Sequence, residues 1–166
     1  MPRPDWDCYF MQMAHLVATR ATCPRRHVGA VVVKDKQVLA TGYNGSLPGQ
    51  PHCDDVGCMI QGMSGCLRTI HAEVNAVAQA ARHGISVSGS TIYVTTSPCL
   101  SCFKAIISAG IIEVIYDTEY REDLGLAFAK LAGVKVRKHD SGRSNSVSGQ
   151  DDLHDGAEVP GVRIPR

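Results

Sequence analysis

His71-Ala72-Glu73 and Pro98-Cys99-Leu100-Ser101-Cys102 are the segments in which residue type and spacing could do chemistry. One imidazole and two thiolates suit zinc, and three protein ligands leave a fourth position open for water. Bound zinc lowers the pKa of that water towards about 7, so hydroxide becomes available at neutral pH. Glu73 follows His71 too closely to share its direction fully, and it is placed to reach the water instead. The expected chemistry is therefore hydrolytic. His71, Cys99 and Cys102 hold the metal, and Glu73 is the catalytic residue that moves protons from water to substrate and leaving group. Alone, a C-x-x-C could be a structural half-site or a redox pair, and His-Ala-Glu occurs often by chance. The two together, each opening an expected helix, are far more specific.

The elements that must carry these residues can be read from periodicity. Asp5 to about Thr22 has Trp6, Tyr9/Phe10, Met13 and Leu16/Val17 at helical spacing. Val28–Val33 and Val38–Tyr43 read as strands joined by a turn at Lys34–Lys36, so they form a hairpin. Asn44–Gly65 lacks periodicity and is long for a structureless loop, which implies function or tethering. Ile70 to about His83 reads as a helix closed by Gly84. Thr91–Thr95 is a strand, and Ser97-Pro98 opens a helix reaching Ala109-Gly110. Ile112–Tyr116, Leu124–Ala132 and Val134–Arg137 read as strand, helix and strand. The order predicts an α/β fold with a mixed sheet and helices on both faces. Two units follow: a domain over 1–138, and a polar Ser-, Gly- and Asp-rich tail over 139–166, expected to be flexible.

The bulk numbers narrow the partners. The 166 residues are enough for one domain, with 44% hydrophobic and 20% charged residues. A net charge of +1 gives no basic face for a nucleic-acid polymer. No apolar leader or membrane-length run is visible, so a cytoplasmic protein is expected. Seven cysteines in that compartment read as metal ligands or buried thiols, not disulfides. Cys23, Cys53, Cys58 and Cys66 remain after the first metal site. Four thiolates would make a closed structural zinc site and tie down the long loop; His52 could replace one of them. The alternative is buried free thiols, which is the reading for Cys8.

Several longer segments carry a resemblance. They are Thr22-Cys23, Arg26-His27-Val28-Gly29-Ala30, Gly42-Tyr43-Asn44-Gly45-Ser46-Leu47-Pro48-Gly49, Pro51-His52-Cys53, Cys66 through Ala76, and Tyr93 through Cys99. With the H-x-E…P-C-x-x-C order of zinc deaminases, they resemble the cytidine and deoxycytidylate deaminase superfamily, and more closely the deoxycytidylate (dCMP) deaminases. The resemblance implies a three-layer α/β/α fold with a five-stranded mixed sheet, Zn2+, and conversion of dCMP and water to dUMP and ammonia. Homo-oligomers, often hexamers, are also implied, as are activation by dCTP, inhibition by dTTP and, in some members, a second zinc. It makes Asn44, Arg26, Ala72 and Ser97 the expected substrate-binding residues, with Asn44 on the deoxyribose. Gly42, Tyr43 and Gly45 are candidate effector contacts. Arg25, Arg26, Lys104 and Arg121 are candidates for the 5′-phosphate, and Tyr120 for covering the pocket. Other deaminase substrates (dCTP, deoxycytidine, guanine or tRNA adenosine) stay open, as does a non-catalytic zinc module, against which Glu73 argues.

Overall fold

The structure is a computed structural model that describes residues 3–61, 65–120 and 123–140. The chain runs α1 (Trp6–Ala18), β1 (Gly29–Lys34), β2 (Gln37–Tyr43), β3 (Gly45–Ser46), α2 (Cys53–Val56), β4 (Thr69–Ile70), α3 (Ala72–Arg82), β5 (Thr91–Thr96), α4 (Leu100–Ser108), β6 (Glu113–Thr118), α5 (Asp123–Leu131) and β7 (Lys135–Lys138). The expected tail beyond Asp140 lies outside the described residues. No helix among the described residues is long and apolar enough to cross a membrane.

Five strands form one mixed sheet in the order β2-β1-β5-β6-β7. The hairpin β1–β2 turns through Asp35 and Lys36, both at positive φ (50° and 62°), a twist that matches the flanking strands. β1 also pairs antiparallel with β5, while β5, β6 and β7 run parallel. Side chains alternate across the sheet. Ala30, Val32, Ile92, Val94 and Val114 pack with residues of α3, α4 and α5, including Ala76, Phe103 and Ala129. Val31, Val33, Tyr93 and Ile115 pack under Phe10, Met11 and Ala14 of α1. These are the three layers.

Two details depart from the periodicity reading. α1 ends at Ala18, short of Thr22, because the Thr19 hydroxyl donates back to the Leu16 carbonyl at 2.7 Å. Its buried face is Phe10, Met11, Ala14 and Ala18, whereas Trp6, Tyr9 and Leu16 are exposed. Ala14 and Ala18 take the second half of that face because the helix backbone there lies directly on β1: a Cβ at Gly29 would collide with both. The long segment after Asn44 also contains structure. β3 pairs with β4, α2 makes a single turn, and Ile60 bridges to Cys66. Elements this short have no period to detect.

Gly42 does the same for the other layer. A Cβ there would run into the backbone of Ala72 and Ala76 in α3. On α1's side of the sheet, Asp7 accepts a hydrogen bond from the Tyr93 hydroxyl at 2.8 Å and pairs with Arg137 at 2.6 Å. Arg137 also donates to Glu113 at 2.9 Å. Burial pushes the Asp7 carboxyl up, but its bonds to Arg137 and Tyr93 outweigh this and hold it below the ordinary carboxylate range.

Gly42→Ala should cost at least about 2 kcal/mol in urea denaturation, since backbone rather than a flexible side chain must move. Asp7→Asn should lose about 1 kcal/mol at pH 7. A depressed carboxylate contributes stability above its unfolded pKa and loses it as pH falls through the folded value. The difference between Asp7→Asn and the parent should therefore shrink to nothing below the ordinary carboxylate range, as read from unfolding midpoints across pH.

Candidate active site

Strands β4 and β5 each lead into a helix whose N-cap is a candidate ligand. His71 caps α3 and Cys99 caps α4, both with extended backbone and neither using its side chain for capping. The helices therefore begin slightly later than the sequence suggests, and the ligands sit at the caps themselves. Cys102 lies in the first turn of α4 and is buried. His71 Nδ1 is 3.6 Å from Cys99 Sγ and 3.3 Å from Cys102 Sγ. All three donor atoms lie within 4.8 Å of one another. Tetrahedral zinc with ligands at about 2.0–2.3 Å needs ligand–ligand edges of about 3.3–3.8 Å, so both His–Cys spacings and the donor types fit the ion.

The local fields favour anionic sulfur. The N-termini of α3 and α4 carry partial positive charge and unpaired N–H groups. Cys99 is drawn down to about 4, first by its hydrogen bond with Cys102, then against burial by His71. The same bond raises Cys102, with burial and the nearby Glu73 carboxylate adding to it. His71 is raised mainly by its bond with Cys99. The sulfurs and the imidazole are thus sharing protons where a cation would satisfy all three. Glu73, in the first turn of α3, is 4% exposed. Burial pushes its carboxyl up, and it hydrogen-bonds Cys102. A carboxyl so placed lies against the His-Cys-Cys cluster.

A cavity of about 300 Å3 adjoins the triad, lined by His71, Ala72, Glu73 and Cys99. Asn44, Ser97, Arg25, Arg26 and Tyr120 also line it. It is polar and buried at Glu73, Asn44 and Ser97, and cationic and exposed at Arg25 and Arg26. All four expected substrate residues therefore border one space. Val28, Thr69 and Thr96 border it too. Residue type alone did not single these out, since Thr96 is placed by the end of β5 and Thr69 by the β3–β4 pairing. Lys104 is exposed on α4 and does not line the cavity. Arg121 lies outside the described residues. Gly42, Tyr43 and Gly45 do not line it either. Gly42 packs on α3, and the Tyr43 carbonyl accepts from Asn75 Nδ2 at 2.9 Å.

Asn44 has more work than ligand contact. Its Oδ1 accepts from the Val28 N–H at 2.7 Å, and its Nδ2 donates to the Arg26 carbonyl at 2.8 Å. One amide N–H and one lone pair remain for a ligand. The Ser97 hydroxyl similarly accepts from the Tyr120 N–H at 2.7 Å.

A second thiol cluster stands beside the cavity. The sulfurs of Cys53, Cys58 and Cys66 lie within 4.8 Å of one another, with Cys53 and Cys66 at 3.7 Å. Cys23 is buried outside that trio and lines the cavity together with Cys66. Although burial works against it, bonds from Thr69 and from the Arg68 and Met59 N–H groups draw Cys66 down to about 6. Cys58 is pushed up to about 11 by burial and by its bond with Cys53.

Residues 4–118 match the cytidine and deoxycytidylate deaminase zinc-binding region. The chain is 50% identical over 121 residues to ComE operon protein 2 of Bacillus subtilis, covering 73% of this chain and 64% of that protein. It is 40% identical over 145 residues to the deoxycytidylate deaminase of Schizosaccharomyces pombe, covering 82% and 45%. It thus spans less than two thirds of the length of both relatives. Among solved structures, the dCMP deaminase of cyanophage S-TIM5, in complex with dCMP and dUMP, matches with a TM-score of 0.74 at 35% identity, over 84% of this chain and 100% of that one. With its ligand triad, buried glutamate and five-stranded sheet, the chain belongs to the cytidine and deoxycytidylate deaminase family.

Proposed function

We propose that this protein hydrolyses dCMP to dUMP and ammonia, a step that supplies dUMP for thymidylate synthesis. The observation that carries the reading is a buried carboxylate beside a His-Cys-Cys triad, in a cavity whose exposed side presents Arg25 and Arg26. An amine-bearing ring fits the buried end and a phosphate the cationic end. Zinc held by His71, Cys99 and Cys102 would supply a water acidified to a pKa near 7. Glu73 takes a proton from the attacking water and delivers it to the ring nitrogen N3. The new C–O bond forms at C4, Glu73 then takes the proton of that C4 hydroxyl and passes it to the exocyclic amine, and the C–N bond breaks as the C4 carbonyl forms, releasing ammonia. The low exposure of Glu73 keeps bulk water from competing for that proton.

The reading extends to a structural zinc on Cys53, Cys58 and Cys66, with Cys23 or His52 completing four ligands. Three sulfurs already gathered around one point support it. It extends also to cytoplasmic homo-oligomers, possible hexamers among them, controlled by dCTP and dTTP. Of the three candidate effector contacts, Gly42 is buried against α3 and Gly45 against Thr22, which leaves the half-buried Tyr43 as the one with exposed surface to offer. Leu124, Phe128 and Leu131 leave an exposed apolar stripe on α5.

Metal analysis of the purified protein should find two zinc ions per chain, with Cys99→Ser and Cys66→Ser each removing one; a single ion in the parent would eliminate the structural site. Glu73→Ala should keep its zinc and lose at least about 10³-fold in turnover. Ammonia release should be fastest on dCMP in a panel with CMP, dCTP, deoxycytidine and guanine. Zinc-loaded protein inactive on every cytosine compound would overturn the reading.

A further inference from the structure

Arg26 reaches the exposed side of the cavity on a long, flexible side chain, and such a residue recognises an anion well only if its position is limited beforehand. Three separate segments limit it. Asn44 grips the backbone on both sides of His27, through the Arg26 carbonyl and the Val28 N–H. The Arg26 guanidinium lies over the Tyr120 ring, with Cζ 5.1 Å from the centroid. Tyr120 is itself fastened by its N–H to the hydroxyl of Ser97, which leads into the metal-binding helix. Among the described residues no carboxylate pairs with Arg26, so its charge is not neutralised there. A guanidinium resting over an aromatic ring spends no N–H donor on a counter-charge and keeps those donors for a phosphate.

We infer that Tyr120 is a positioning residue for phosphate recognition: its ring holds Arg26 at the cavity mouth, and preference for a nucleotide over a nucleoside passes through this stacked pair. The inference rests on the dCMP reading above. The role belongs to the ring face, not to the hydroxyl, and needs no contact between Tyr120 and the substrate. It also ties the phosphate end to the metal end, because Ser97 fastens the platform and lies close in sequence to Cys99.

The test is a kinetic double-mutant cycle with dCMP and deoxycytidine as substrates. Arg26→Gln should lower kcat/KM for dCMP about 10- to 100-fold, the scale of a charge-assisted contact. Tyr120→Leu should raise KM for dCMP about three- to fivefold, with kcat changed by less than about twofold, as expected for a lost exposed cation–π contact. Tyr120→Phe should keep the parent KM, and Tyr120→Leu should add nothing in the Arg26→Gln background. Tyr120→Leu should raise KM for dCMP by a larger factor than KM for deoxycytidine. Additive losses in the cycle, a Tyr120→Phe variant as impaired as Tyr120→Leu, or an unchanged KM for dCMP in Tyr120→Leu would each overturn the inference while leaving the dCMP reading intact. A parent enzyme that does not prefer dCMP to deoxycytidine would overturn both.

Discussion

Two thiolates and an imidazole do not stay together without a compensating positive field. In this fold α3 and α4 contribute such a field, because His71 and Cys99 are their N-caps and Cys102 lies in the first turn of α4. Their alignment depends in turn on how closely the helices lie on the sheet. Gly42 lets α3 settle onto β2, and Phe103 and Ile106 anchor α4 in the same core. Gly42 meets α3 at Ala72, the residue next to His71, so the close approach of this glycine sets how the first turn of α3 lies beside the candidate metal site.

The gathering of His71, Cys99 and Cys102 and the order of strands and helices were legible in the amino-acid sequence because they are local: caps, spacings and runs of apolar residues. What the sequence obscured depended on neighbours. Leu16 matches a helical stripe as well as Ala14 and Ala18 do, and it is the closeness of β1 at Gly29 that turns the two alanines inward. The two-residue strands β3 and β4 have no period of their own and exist through each other. Thr69 and Thr96 join the cavity from segments far apart in the chain, and within the motifs that contain them neither residue type nor spacing singles them out.

Asn44 illustrates a related point. From residue type it reads as a ligand contact, since an amide can donate and accept. Half of that capacity is engaged in holding Arg26 and Val28. Substitution of Asn44 would therefore disturb the site twice, by removing a polar group from the cavity and by releasing the segment that carries the arginine. A loss of activity there could not be divided between sugar recognition and loop geometry from one variant alone.

The antiparallel neighbours of β1 have a consequence for biosynthesis. β1 pairs at once with β2 through a tight turn, but its other edge waits for β5, which is made only after the whole long segment and α3. Until then Val31, Val32 and Val33 present an apolar strand with open hydrogen-bonding groups. At about 5–20 residues per second, the ribosome leaves that edge unpaired for several seconds. The nascent chain is thus most open to aggregation in the interval between its first hairpin and the strand that delivers the cysteine ligands, and the sheet and metal centre close in the same late stage of synthesis.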